Sequence, residues 1–390
     1  MQATVREKLA ERLLSYNRAL GASQTVLENI ESLSSAGTHA VVTGPQPGLL
    51  TGPLYTIYKA ISAITVAERL ASSSGRRFIP VFWNHSEDHD FAEVGHIYLL
   101  KENRPVILAY PPPESSGPKS VAEISLEEEK IERLLSRIAE ATPKSEFKDS
   151  ILNQVRELVR ESHDFGDFFS RMMLWLFGGH GLVLVEPRHL QELIAPIFTR
   201  LIEEPDVTGR LVAQAGKVLE REGKAPQIRH PQWFCNFFID RQRVTYRDRR
   251  FQIGEETFSR EELLLMVQEE PYRFSSDVVT RPLIQDHLFP TYAYVAGPHE
   301  GAYLDQLHGV YRWFGLETPQ VIPRYGATLI ETRVRRILDR YAPWAEDLEE
   351  YRQPEQLMKR VVRATSDLGL SFARYREEIA RILEEIKEYV

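Results

Sequence analysis

The chain has 390 residues, 43% hydrophobic and 27% charged, a balance that excludes whole-chain disorder and leaves room for two or three domains. Lys and Arg number 48 against 56 Asp and Glu, a formal net charge of −8, which argues against a broad nucleic-acid or anionic-membrane surface but not against a local basic pocket. The single cysteine, Cys235, excludes an intrachain disulfide and a Cys-based metal cage.

The first residues, MQATVREKLAERLL, carry charges every few positions and no apolar signal segment. The long apolar run MMLWLF at 172–177 is far below membrane-span length. A cytoplasmic protein without membrane or nucleic-acid partners is expected. Val5, Leu9, Leu13, Tyr16 and Leu20 recur at helical spacing, and Val26, Leu27, Ile30 and Leu33 predict a second helix.

The pattern then changes. HAVVTG at 39–44 and FIPVFW at 78–83 read as short strands, with a helix over about 53–71 between them. Pro53 suits the first helical position, with Thr51 or Gly52 at the cap. Strand, loop, helix and strand make a βαβ unit, the building block of parallel sheets. GLVLVEP at 181–187, TYAYVAG at 291–297 and PQVIPR at 319–324 are further apolar strands, suited to a sheet covered on both faces. The reading is an α/β protein with about five strands in one sheet.

Between these strands lie apparent inserts. Residues 122–178 are charge-rich and helix-patterned, 234–254 alternate like an antiparallel hairpin, and 261–270 are helical. Cys235 in WFCNFF is expected to be a small buried side chain. Phe372, Tyr375, Ile379, Ile382, Leu383 and Ile386 mark a C-terminal helix that either packs on the chain's own core or pairs with a second copy. The expected divisions are 1–120, the first half of the core with N-terminal helices; 121–178, a helical insert; 179–200, a core strand and helix; 201–275, a small α/β insert; 276–340, the second half of the core; and 341–390, C-terminal helices.

Three segments could carry chemistry. GPQPGLLTGPLYTIYK at 44–59 is neither a P-loop nor G-x-G-x-x-G. It nevertheless follows a strand and opens a helix, where free N–H groups favour an anion. Thr43, Gln46 and Thr51 would add donors beside Gly44, Gly48 and Gly52, and Tyr55 and Lys59 share a helix face. The competing reading is a tight turn that needs glycine. NHSEDHDF at 84–91 follows a strand end and places Glu87, Asp88, His89 and Asp90 together. Its spacing matches no zinc pattern, so no metal is expected; acid–base work or a capped helix start with surface charges remain. Around a third strand stand Arg281, Gly297, Glu300 and Tyr303, and Arg324 ends a fourth. Either arginine could pair with a carboxylate or serve in a structural ion pair. In parallel sheets ligands bind beyond the carboxyl ends of strands, so convergence there favours a shared pocket.

TGPQPGLLTGPLYTIYKAISAI, PVFWNHSEDHDFAEVGHI and VVTRPLIQDHLFPTYAYVAGPHEGAYLDQL together resemble the cysteine-adding ligase family of bacillithiol biosynthesis, in order and over about residues 1–340. The resemblance implies a Rossmann-like core with connecting-peptide inserts and a C-terminal helical region used in dimers. It also implies an amide-forming ligase joining the carboxyl of cysteine to the amine of glucosaminyl malate, with ATP as a cofactor suggested by relatives rather than by a motif. In that reading the 44–52 loop holds developing negative charge, His89 or Asp90 is the base, and Glu87 or Asp88 orients the sugar. Arg281, Arg324 or Lys59 would take the malate carboxylates. The family usually has Gln at the place of Pro45 and small residues at those of Asn84 and His85, and its C-terminal coiled coil is expected to be shortened to 343–390. The alternatives are a nucleotide-dependent transferase acting on another small acceptor, or a non-catalytic shortened paralogue that binds a ligand or partner.

Overall fold

The structure, a computed structural model, describes residues 3–88, 90–102, 104–112, 119–229, 231–327, 330, 332, 335–336 and 372–387. It divides into a large unit, 1–98 with 107–325, and a small one, 99–106 with 326–390. Most of the expected C-terminal region, 343–371 and 388–390, lies outside the described residues, as do His89 and most of the 111–118 linker. Phe372–Lys387 is helical, as the spacing of its apolar residues predicts.

The strands, numbered along the chain, are β1 (Thr38–Thr43), β2 (Arg77–Trp83), β3 (His96–Lys101), β4 (Arg104–Ala109), β5 (Val183–Val185), β6 (Phe234–Ile239), β7 (Gln242–Arg247), β8 (Arg250–Ile253), β9 (Glu256–Phe258), β10 (Phe274–Ser276), β11 (Thr291–Ala296) and β12 (Gln320–Pro323). Five of them form one parallel sheet in the order β12-β11-β1-β2-β5. These are the five strands read from the sequence, and the chain is α/β with a Rossmann-like core.

Both faces of this sheet are covered, which is why its strands are apolar throughout. Side chains alternate along β1. Val41 faces Ala63, Ala67, Phe78, Ala293 and Val295. Ala40 and Val42 face the larger core, with Ile79, Val81, Leu184 and Phe169. The N-terminal helices are α1 (Ala3–Ala19) and α2 (Gln24–Ser32), and the crossover helix α3 (Leu54–Ser74) lies over the Val41 face. The small residues Ala60, Ala63 and Ala67 let α3 sit close to the sheet. Helix α3 starts one residue later than expected: Pro53 is the cap, with φ −60° and ψ 149°, and not the first helical residue. Its extended ψ stops the helix there, and its ring offers no side-chain acceptor for the first N–H groups.

The stretch 234–276 forms a second, antiparallel sheet, β10-β6-β7-β8-β9, larger than the expected hairpin. Its two-residue turns, Asp240–Arg241 and Asp248–Arg249, have positive φ at both positions, the geometry that matches strand twist. Cys235 is fully buried there. β3 and β4 form a separate two-stranded sheet that the sequence reading did not anticipate. Among the described residues, no helix is long and apolar enough to cross a membrane.

Candidate active site

β1 pairs with β2 on one side and with β11 on the other, so the chain reverses direction of growth beside β1. A crevice opens at such a switch point beyond the carboxyl ends of the strands. A cavity of about 590 Å³ lies there, within the size range of small-molecule sites. Gly44 to Gln46 follow β1, His85, Glu87 and Asp88 follow β2, Gly297 to Glu300 follow β11, and Arg324 follows β12. The second sheet supplies a further wall through Phe238, Arg243 and Ser275 to Val278.

Most of the residues singled out from sequence meet in this cavity: Gly44, Gln46, Tyr55, Lys59, Glu87, Asp88, Arg281, Gly297, Glu300, Tyr303 and Arg324. Thr43, Gly48, Thr51, Gly52 and Asp90 do not line it. Thr43 is buried and its hydroxyl donates across the sheet to Val295 O at 2.9 Å. Asp90 caps the short helix Phe91–Val94, accepting from Glu93 N at 3.2 Å. His89 lies outside the described residues.

The opening glycines serve packing. A Cβ on Gly44 would stand 2.1 Å from Trp83 O, so only glycine lets the end of β1 approach β2 this closely. A Cβ on Gly48 would lie 2.5 Å from the Gly52 Cα, and Gly52 has φ +73°. The loop therefore folds onto itself, and the turn reading accounts for Gly48 and Gly52.

A buried ion pair organises the β11 side. Lys59 Nζ lies 2.5 Å from Glu300 Oε2, and the lysine side chain is only 4% exposed. Lys59 also reaches Gly44 O at 3.4 Å. Glu300 further accepts from Tyr294 OH at 2.9 Å and from Gly297 N at 2.7 Å. Burial pushes the Glu300 carboxyl up, but Lys59, the Gly297 N–H and Arg281 outweigh it and hold the group below its ordinary range.

Arg281 is almost wholly buried, on the helix Thr280–Leu288. Nη2 donates to Tyr303 OH and, at 3.4 Å, to Tyr294 OH. Nη1 is buried without a hydrogen-bond partner. Burial opposes its charge, but the oxygens of Tyr294, Tyr303 and Glu300 prevail and keep it protonated. Arg324 lies over the Tyr55 ring at 5.7 Å.

The β2 end is acidic. Gln46 Nε2 donates to Asp88 Oδ2 at 2.5 Å, and Gln191 Nε2 to Glu87 Oε1 at 3.1 Å. The Glu87 carboxyl is pushed up to about 7 by burial, with Glu186 adding and the Ser276 N–H and Gln191 opposing. His85 is held down to about 4 by burial and Arg281 against the pull of Asp88, so its imidazole is neutral at pH 7. His85 Nε2 also has no hydrogen-bond partner. The site thus sets cations near β11 and β12 against carboxyl groups after β2, one of which exchanges a proton near neutral pH. That suits holding an anion beside a group undergoing proton transfer.

Sequence reasoning missed Glu186, Arg243 and the 275–278 wall. Glu186 directly follows β5 within GLVLVEP, a strand already recognised, so the rule applied to the other strand ends would have found it. Arg243 and the wall belong to the second sheet, whose packing against the first no local pattern announces.

Fold and site together define a Rossmann-like α/β protein with a cavity at its switch point. The family model described as the bacillithiol biosynthesis BshC N-terminal Rossmann-like domain matches residues 1–325. A protein of Salinibacter ruber named "Putative cysteine ligase BshC" is 40% identical over 359 residues, covering 90% of this chain and 65% of its own length. Proteins of the same name from Bacillus cytotoxicus and Bacillus cereus B4264 are 34% and 31% identical, covering 89% and 99% of this chain and 67% and 73% of theirs. The chain belongs to the BshC family and spans about two thirds of the length of these relatives.

Proposed function

We propose that this chain is a carbon–nitrogen ligase that joins the carboxyl of cysteine to the amine of glucosaminyl malate, the last step of bacillithiol biosynthesis. The observation that carries this reading is Arg281, a buried guanidinium that lines a cavity of ligand size and whose Nη1 has no hydrogen-bond partner. A carboxylate would satisfy it, and malate brings two. Arg324 adds positive charge on the same side, while Lys59 is engaged with Glu300. Family membership and the relatives' printed names supply the reaction class.

In the bond-forming step the neutral amine attacks the activated cysteine carboxyl. The C–N bond forms, the leaving group departs with the electron pair of its bond to carbon, and the amine proton passes to a base. Glu87 is the base in this reading, because it lines the cavity and its proton affinity lies close to neutral. Asp90 is engaged in capping instead. Asp88, held by Gln46, would orient the acceptor's hydroxyls.

The carboxyl must be activated, and ATP is what the resemblance suggests. The 44–52 loop does not fit a phosphate cradle, since Gly48, Thr51 and Gly52 stand off the cavity and Gly48 is closed against Gly52. A homodimer belongs to the same proposal, with sedimentation as its check.

The test is to incubate the purified chain with cysteine, glucosaminyl malate and ATP and to follow the amide by mass spectrometry. Product that disappears in R281M supports the reading, and no product under any nucleotide condition sinks it. A melting shift with ATP but none with glucosaminyl malate would favour a transferase with another acceptor.

A further inference from the structure

Residues 84–88 leave β2 alternating between two surroundings. His85, Glu87 and Asp88 line the cavity, whereas Asn84 and Ser86 are fully buried behind it. Ser86 Oγ donates to Glu186 Oε1 at 2.5 Å. Glu186, the residue after β5, is itself fully buried. Its Oε2 accepts from Tyr16 OH at 2.8 Å and from Arg188 Nη2 at 3.3 Å, and Arg188 Nε stands 3.0 Å from Oε1. Asp164 grips the far side of Arg188 at 2.7 Å.

The enclosure is tight. A Cβ on Gly166 would come within 2.8 Å of Glu186 Oε1 and 3.3 Å of the Ser86 Cβ. The Ser86 and Asp88 carbonyls accept from Ala122 N at 3.0 Å and Val121 N at 2.8 Å. A buried carboxylate with its guanidinium is a costly way to pin a turn, because packed apolar groups of similar volume would hold it as well or better. Burial pushes the Glu186 carboxyl up while Arg188, Ser86 and Tyr16 oppose it, and a carboxyl kept at that cost, tethered to the neighbour of a cavity-facing carboxyl, points to a use.

We propose that Glu186 is a positioning residue for Glu87: through the Ser86 hydroxyl it fixes the turn that presents Glu87 to the cavity. The inference rests on the reading of Glu87 as the base. Like charges nearby favour the protonated carboxyl, and Glu186 adds to burial in raising Glu87. Among the described residues, the charged or titratable groups around this turn include Tyr16, Asp164, Asp167, Arg188 and His189 behind it, and His85, Asp88, Glu93, Arg243, Asp277 and Arg281 on the cavity side. Arg188 and Arg281 stay charged, and His85 and His189, both held down to about 4, stay neutral from pH 6 to 8.

The experiment is a carbon-13 NMR titration of the full chain labelled at glutamate carboxyls, in which the resonance lost in E87Q is Glu87. It needs no substrate. E186Q keeps the shape of the side chain and removes its acidic group, and the Glu87 midpoint should fall measurably. An unchanged midpoint in folded E186Q overturns the proposal. Should E186Q fail to fold, S86A cuts the tether alone; the freed turn should bring Glu87 toward water and lower its midpoint, and an unchanged midpoint in folded S86A overturns the proposal equally. Where turnover is measurable, the acidic limb of the pH–rate profile should move with the midpoint in E186Q. Absence of turnover in the wild type would count against the ligase reading and leave the titration to decide this one.

Discussion

Replacing Lys59 by methionine probes the ion pair that organises the β11 side of the cavity. The substitution keeps most of the side-chain volume and removes the charge 2.5 Å from Glu300 Oε2. Breaking a buried pair from one side costs about 3–5 kcal/mol, because the remaining charge is left in a poor solvent. Glu300 keeps the Tyr294 hydroxyl and the Gly297 N–H, which places the loss near the lower end, about 3 kcal/mol. For a folded unit of this size each kcal/mol moves the melting midpoint by about 1.5 °C, so K59M should melt about 5 °C lower. The pH dependence gives the sharper test. In the wild type the Glu300 carboxyl is held below its ordinary value, so its contribution to stability is present at neutral pH and lost as pH falls through the folded value. Without Lys59 the main restraint on that carboxyl is gone, so acid costs the variant less. The deficit of K59M should be largest at pH 7–8 and narrow toward pH 5, and K59M/E300Q should recover much of it, with the double-mutant cycle isolating the coupling. Melts followed by circular dichroism decide. A deficit below about 1 kcal/mol at pH 7, or one that grows on acidification, would refute the assignment of this pair.

Other outcomes follow from single contacts. E87Q should lower turnover by about 10²–10⁴-fold if Glu87 is the base, while the wild-type rate climbs with pH to a plateau above about 7. Because the folded Glu87 carboxyl lies above its unfolded value of 4.5, its stabilising effect is full below 4.5 and lost as pH rises through about 7; denaturant melts should therefore find E87Q more stable than wild type at pH 8 and equal near pH 4. G44A puts a methyl 2.1 Å from Trp83 O and should cost more than about 4 kcal/mol, seen as loss of soluble expression or of the cooperative melt. R281K keeps the charge but not the unpartnered Nη1, so calorimetry with malate should show binding weakened about tenfold or more; equal affinity would remove Arg281 as the carboxylate anchor.

The parallel sheet was legible because its strands are short apolar runs with clear terminators, and covered strands leave that mark on the sequence. Even FIPVFW held, despite Pro80 inside a central strand. β5 pairs only with Val81 to Trp83, so β2 is unpaired on that side at Pro80 and can accommodate a residue with no N–H to give. The β3–β4 pair was missed because HIYLLK and RPVILA put apolar Tyr98, Leu100 and Ile107 on the exposed side, so the sequence shows no apolar–polar alternation. In the site, strand-end polar residues were readable and converge as expected. The glycines misled in part: a close backbone approach and an anion cradle leave the same letters, and only the 2.1 Å contact at Gly44 tells them apart. The Ser86–Glu186 contact joins residues 100 apart, beyond the reach of any local pattern.

The place of β1 in the sheet also sets when the site comes into being. Its partner β11 lies some 250 residues on, as the Thr43–Val295 and Tyr294–Gly44 contacts record. During synthesis β1, α3 and β2 can assemble early, but the ribosome must deliver residue 296 before β1 is paired on its second side and residue 324 before the cavity has its last wall. Until then the Ala40–Val42 edge, built for a dry interior, stands open to other chains. Pairing of such long range is slow to form, so the nascent protein passes through an interval in which it is adhesive and not yet able to bind. A product that ends before β11 would keep β1 unpaired on that side, an open edge of the kind that invites aggregation.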